Sequence, residues 1–403
     1  FDPPLSSDVA AMAGAVSGWV RSTASAVVAG RDMADAIAAA RAGQVASLVV
    51  PADAQWSEGG DVAAPVDPVA ATRVDAAAIA RAVATLRAGR AALILGGRAL
   101  SEAALRDAQR VSLATGARLF CESFPARLER GAGLPAAARV PYMSELARAT
   151  FADVAAAVLV GASDPVSFFG YQDGVSRLLP DGTRVEPLAA PTDDAAHALA
   201  ALADAVGAAP FVAPASTRPP RPTGPLNNRS LVAAIAHMIP EGAVVIDEGV
   251  SIAGSILPVS TGAPRHSYLM LTGGACGQGM PCAAGAAIGA KGRKVIALVG
   301  DGSALYTVQA LWTQAREGLD VVNVVCANDA YRILHVELTK LLGALPGPRA
   351  SKLTELAPPR IDWGSIAKGF GVPACRAETT DALLDALGRA LATPGPALIE
   401  ARV

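Results

Sequence analysis

The sequence predicts an α/β protein built from parallel, doubly wound sheets with helices on both faces. Three observations carry that expectation. Apolar strand-like runs alternate with alanine-rich helical runs along the whole chain. Several of those runs end in glycine turns, at Leu95-Gly96-Gly97, Val160-Gly161-Ala162 and Val299-Gly300-Asp301, as short strand-to-helix connections require. The 403 residues, 52% apolar and 17% charged, suffice for two or three units with sizeable cores.

Residues 1–58 read helix, helix, strand. The second helix covers 31–42, and a buried strand over 45–50 stops at Pro51. Residues 59–73 lie in a stretch with Gly59-Gly60, Pro65 and Pro68 and read as a linker. A second unit over 74–207 has strands at 91–95, 117–121, 155–160 and 185–188, with helices between them, for example at 102–115. Its glycine turns can hold a nucleotide phosphate, but any tight strand-to-helix turn needs the same residues. Residues 208–226 form a proline-rich connector ending in Pro219-Pro220-Arg221-Pro222. Asn227 or Asn228 then caps a helix that ends near Ile239. The last unit, 227–403, has strands at 243–246, 295–299, 321–327, 372–377 and 397–401.

Composition excludes several functions. A net charge of −2 and a pI near 6.2 argue against nucleic acid or an anionic membrane as partner. The mean hydropathy of +0.37 comes mostly from alanine. No run of 18 or more uncharged apolar residues is present; the nearest stretch, 268–290, holds Gln278 and Pro281 and reads as a glycine-rich loop leading into a buried helix. Five irregularly spaced cysteines (Cys121, Cys276, Cys282, Cys326, Cys375) suggest free buried thiols in a reducing cytoplasm, with no zinc pattern. His197, His237, His266 and His335 are scattered and read as generic histidines.

The informative segment is Lys294-Val-Ile-Ala-Leu-Val-Gly-Asp-Gly-Ser303. A buried strand ends in Gly300-Asp301-Gly302-Ser303, a helix is expected over 307–317, and a second buried strand ends at Asn328. In such a crossover both strands are parallel, so Asp301 and Asn328 emerge on one sheet edge although 27 positions apart. One carboxylate and one amide oxygen suit a hard divalent cation such as Mg2+, which borrows its remaining ligands from phosphates and water. Gly300 and Gly302 let the backbone approach an anion closely.

This pattern resembles the magnesium-diphosphate motif of thiamine diphosphate enzymes. The run from Gly300 to Ala315 is similar to benzoylformate decarboxylase and acetolactate synthase. Thr272-Gly-Gly-Ala-Cys-Gly-Gln-Gly-Met-Pro281, Val245-Ile-Asp-Glu-Gly249 and Gly395-Pro-Ala-Leu-Ile-Glu400 extend the resemblance over most of the chain. It implies a thiamine diphosphate-binding fold plus a Rossmann-like middle domain. Residues 1–58 would then be the C-terminal remnant of a pyrimidine-binding domain, and 227–403 the diphosphate-binding domain.

The resemblance also implies roles. Asp301, Asn328 and the Ala330 carbonyl would hold Mg2+. Ser251, Gly300, Gly302 and Ser303 would meet the diphosphate. The Gly274 carbonyl would accept a bond from the cofactor's 4'-amino group, and Cys276 would stand where a bulky hydrophobe props the cofactor into its bent shape. Met280 and Tyr331 read as packing residues. Three positions depart from the family pattern: Cys276 makes a small wedge, Ala327 stands where a first asparagine is usual, and Asp329 replaces a glycine.

No catalytic residue is assigned. The chain begins at Phe1 in ordinary globular sequence, and the family's activating glutamate is expected in a preceding region, so this chain alone is expected to be inactive. The implied reaction is decarboxylation of a 2-oxo acid followed by protonation or by carboligation to an aldehyde or ketone, as in acetolactate synthase. A non-ligating decarboxylase like benzoylformate decarboxylase, a 2-hydroxyacyl lyase, and a non-catalytic cofactor-binding relative are the alternatives. No histidine falls at 124–130, where benzoylformate decarboxylase has one, and Arg127 and Arg130 read either as surface residues or as partners for a carboxylate. FAD in the middle domain is possible but not favoured, because a Met-Gly-rich loop is absent from 121–143. A dinucleotide dehydrogenase is disfavoured, because residues 273–279 do not match Gly-x-Gly-x-x-Gly after a strand. The resemblance implies a homodimer or homotetramer in the cytoplasm, with a small-molecule 2-oxo acid or aldehyde as partner.

Overall fold

The computed structural model describes residue 4 and residues 6–67, 69–172, 174–252 and 254–403. Among them two short strands, β1 (Trp19–Ser22) and β2 (Ala46–Val49), pair in parallel. The helix Ala26–Arg41 connects them. Residues 59–67 and 69–73 carry no helix or strand.

Six strands follow between residues 91 and 189. They are β3 (Ala91–Leu95), β4 (Arg118–Cys121), β5 (Leu128–Arg130), β6 (Ala138–Arg139), β7 (Ala156–Val160) and β8 (Arg184–Ala189). Five of them form a parallel sheet in the order β6-β4-β3-β7-β8. Every residue of β3 and β7 is buried, as expected of strands covered on both faces.

The remaining strands are β9 (Val244–Glu248), β10 (His266–Met270), β11 (Val295–Gly300), β12 (Val321–Ala327), β13 (Ala374–Ala377) and β14 (Ala397–Arg402). They build a seven-stranded sheet in the order β13-β14-β12-β11-β9-β10-β5. Its seventh member is β5, which leaves the middle segment of the chain and pairs antiparallel with β10. One apolar core accordingly joins the two larger sheets, running from Leu93 and Leu95 to Leu231, Ile235 and Val245. The buried Asn323 on β12 is fully engaged: its amide donates to Gln314 Oε1 at 2.7 Å and to the Ala397 carbonyl at 3.2 Å.

Two local differences from the sequence reading have clear causes. The helix expected over 307–317 begins at Asp301, because Gly300 takes the extended N-cap conformation and an acidic residue suits the first turn. It is then interrupted, giving Asp301–Thr307 and Ala310–Arg316. The stretch 268–290 supplies not only a loop and the helix Gly279–Gly289 but also part of β10. No described helix is long and apolar enough to cross a membrane.

Candidate cofactor site

The site lies where β9, β11 and β12 end side by side. In a parallel sheet the strands' C-terminal ends open onto one edge, the place where such folds bind ligands. Asp301, directly after β11, is 2% exposed. One carboxylate oxygen accepts the Gly302 amide at 2.9 Å, and the other accepts the amides of Asn328 and Asp329 at 2.9 and 2.7 Å. The side chain is thus fixed by the two strand ends expected to converge. Burial nevertheless pushes its carboxyl pKa up, against those three donors.

Asn328 turns its side-chain oxygen onto the Ala330 amide at 3.0 Å and so tightens the loop after β12. Asp329 sits between them at φ +58°, in the left-handed region where glycine is the usual residue. Aspartate tolerates that region better than most side chains. Here its carboxylate is also held by Arg402 at 2.6 and 2.9 Å and by Arg360 at 3.1 Å. Its pKa is lowered chiefly by Arg402.

Gly249, Ser251, Cys276, Gly300, Gly302 and Ser303 wall the same cleft of about 100 Å3, together with Tyr306, Asn328 and Ala330–Leu334. The structure therefore gathers eight of the nine candidate residues around one space. The ninth, Gly274, lies on the loop that presents Cys276, and its carbonyl accepts the Cys276 amide at 2.9 Å. Cys276 is exposed rather than buried, and its thiol lies beside the Ser303 hydroxyl; desolvation pushes the thiol pKa up. Val250, next to Ser251, has φ +50°. A β-branched residue there is strained, and such strain collects at functional sites.

Met280 is a core residue as expected, but Tyr331 is not mere packing. It lines the cleft, and its ring fills the space over Gly302, where a Cβ would fall 2.5 Å from Tyr331 Cδ1. Glu248 is missed by sequence reasoning. It is wholly buried at the end of β9, where its two carboxylate oxygens accept the amides of Gly277 and Gly279. Desolvation raises its pKa while those bonds lower it. The carboxylate thereby clamps the loop carrying Gly274 and Cys276. The signal available in the sequence was an acid ending an otherwise apolar strand. Phe168, from the segment after β7, closes the far side of that loop: a Cβ on Gly274 would lie 2.6 Å from its ring.

The family described as "Thiamine pyrophosphate enzyme, C-terminal TPP binding domain" matches residues 250–401, which include all nine candidate residues, with Glu248 just before the matched segment. The whole chain aligns with a Mycobacterium tuberculosis protein named "Putative acetolactate synthase large subunit IlvX". The two are 48% identical over 407 residues, covering 99% of this chain and 78% of that protein. The chain belongs to the thiamine pyrophosphate enzymes.

Within that family its relatives include the benzoylformate decarboxylase of Pseudomonas aeruginosa, 33% identical over 177 residues, or 44% of this chain and 32% of that one. The solved thiamine diphosphate-dependent 4-hydroxybenzoylformate decarboxylase of Rhodococcus jostii has the same fold, with a TM-score of 0.78 at 23% identity over 98% of this chain and 78% of that chain. This thiamine pyrophosphate enzyme therefore stands in the acetolactate synthase and benzoylformate decarboxylase group.

Proposed function

We propose that this chain binds thiamine diphosphate together with Mg2+ and serves the decarboxylation of a 2-oxo acid, followed by protonation or carboligation of the product fragment. The observation that carries the reading is the meeting of Asp301, Asn328 and Ala330 at the rim of a glycine-walled cleft. Those residues fit the group. They offer a carboxylate, an amide oxygen and a backbone carbonyl, the hard oxygen donors Mg2+ prefers. Among the described residues no cluster of three or more His, Cys, Asp and Glu competes as a metal site.

In this reading Asp301, Asn328 and the Ala330 carbonyl hold the cation. Ser251, Ser303 and the backbone of Gly300 and Gly302 hold the diphosphate. The Gly274 carbonyl, which keeps a second lone pair beside its bond to Cys276, receives the 4'-amino group. Cys276 would stand in the place of the hydrophobe that props the cofactor. The bound cofactor would act as the electron sink for carbon–carbon cleavage. The chain's part is to orient it and to keep water from the reacting carbon.

Carboligation is the first reading, on the strength of the relative that covers the whole chain. A non-ligating decarboxylase of aromatic 2-oxo acids is favoured by a different observation. Phe124, Tyr142 and Phe168 form an aromatic cluster with centroids 5.3–6.0 Å apart, and Phe168 reaches Gly274. Exposed Tyr306 at the cleft, with exposed Leu305 and Trp312 on the same pair of helices, supports a homodimer or homotetramer, and a monomer by light scattering would count against that. The deciding experiment offers aliphatic and aromatic 2-oxo acids with and without thiamine diphosphate and Mg2+, and identifies the products. An aldehyde marks the decarboxylase and a 2-hydroxy ketone or acid the ligase. Failure of the cofactor and Mg2+ to bind at all would end the reading.

A further inference from the structure

We propose that a second pocket, next to β6 and the segment 254–261, binds a small organic anion whose charged head is held by Arg130 and Arg139 and whose apolar body lies against the pocket wall. The pocket measures about 500 Å3, within the range of small-molecule sites. It shares no lining residue with the cofactor cleft.

The argument begins with Arg130, which lines this pocket from β5 and is only 5% exposed. Its Nη2 donates to the Leu257 carbonyl, and among the described residues its Nε has no partner and it belongs to no ion pair. A buried cation without a counter-charge is costly, and proteins keep one only where something compensates it. The nearby carboxylates are engaged elsewhere. Glu129 takes Arg127 at 2.7 Å and the Ser267 hydroxyl at 2.9 Å. Asp247 takes the amides of Gly249 and Gly254 at 3.0 and 2.8 Å and the Tyr268 hydroxyl at 2.6 Å. His266, opposite Arg130 on β10, leaves its Nε2 unpartnered as well, but burial keeps its ring neutral. A water between the two groups would satisfy dipoles and leave the charge unanswered.

Arg139 brings a second cation to the same pocket. Its Nε donates to the Ser123 carbonyl and its guanidinium lies over the Phe124 ring at 5.4 Å. The head is pressed against the Gly254 turn, where a Cβ would fall 2.0 Å from Nη1. Two arginines lining one pocket bring guanidinium groups suited to a carboxylate or a phosphate, Arg139 alongside the contacts it already makes. Apart from Gly254 and Thr261 the rest of the lining is alanine, proline and leucine, notably Ala137, Leu257 and Pro258, which suits an apolar body rather than a sugar or a polyanion.

The test measures binding to the intact chain by calorimetry, using benzoate, phenyl phosphate and inorganic phosphate at constant ionic strength. Saturable binding of benzoate or phenyl phosphate, tighter than that of inorganic phosphate, is expected, and the better of the two tells carboxylate from phosphate. Arg130→Met should weaken it at least about 10-fold, as loss of bonds to a charged group does. Without ligand that variant should melt no lower than the parent, since it removes an uncompensated charge. Arg139→Met should weaken binding too, and it stands in if Arg130→Met does not fold. Asp301→Ala should leave the affinity unchanged. The proposal is overturned by no saturable binding of the three probes at about 10 mM, by binding of inorganic phosphate alone, by unchanged affinity in the arginine variants, or by loss of binding in Asp301→Ala.

Discussion

Replacing Glu248 with glutamine tests how the cofactor loop is held. The carboxylate is 0% exposed and accepts two backbone amides, from Gly277 and Gly279. A glutamine of the same shape can accept only one of them. Its NH2 group then faces the other N–H, donor against donor. One charge-assisted bond is lost, at about 1.5–3 kcal/mol, and one buried amide is left unsatisfied, at about 1–3 kcal/mol. Against this, the neutral side chain no longer bears the desolvation that raises the Glu248 pKa. The net expectation is a loss of about 2–4 kcal/mol. Urea unfolding measures it, and titration with thiamine diphosphate and Mg2+ reads the loop directly, with weaker binding expected. A variant within about 0.5 kcal/mol of the parent, with unchanged cofactor affinity, would refute the idea that this carboxylate clamps the loop.

Three further outcomes are expected. Asp301→Ala should abolish the thermal stabilisation expected from thiamine diphosphate with Mg2+, because it removes both the proposed cation ligand and the acceptor joining two strand ends; a full shift in the variant would contradict the proposed role. Gly279→Ala should destabilise the chain and weaken cofactor binding, since the new methyl group would lie 2.5 Å from Glu248 Oε2; chemical denaturation with cofactor titration checks it. His266 is held neutral by burial, with its pKa down at about 4 from 6.5, among Arg130, Glu129 and Arg293. The unfolded chain therefore binds the extra proton between about pH 6.5 and 4. The stability at stake, about 3 kcal/mol, is fully present above that window and lost as pH falls through it. Unfolding of His266→Gln between pH 4 and 7 should show a flatter dependence than the parent.

Much of the site is legible in the sequence because its pieces lie at strand ends. Asp301 and Asn328 each follow a run of buried apolar residues, and the right-handed crossover between parallel strands leaves them no other relation. Glu248 is less legible. Its role depends on a loop some thirty residues later folding back over β9, which no local pattern announces. Tyr331 reads as filler until the absence of a Cβ on Gly302 shows what its ring covers. Cys276 reads as a buried thiol and proves exposed, because the loop around it is shaped by glycines and by Glu248 rather than by apolar burial. β5 is the hardest element to foresee. Three residues, Leu-Glu-Arg, carry no periodicity, and their strand partner lies far along the chain.

That stray strand also governs assembly order. Contacts such as Ser267 with Glu129 close a loop of 138 residues, so the edge beside β10 can be sealed only after most of the chain has been made. Until then β10 presents unpaired amides and carbonyls along its outer side, the template on which stray strands add. A fragment beginning at Asn227 would keep that side open for good. The short insertion is thus a closing stitch: it ties the seams of two sheets together and ends the period in which a growing chain is most prone to aggregate.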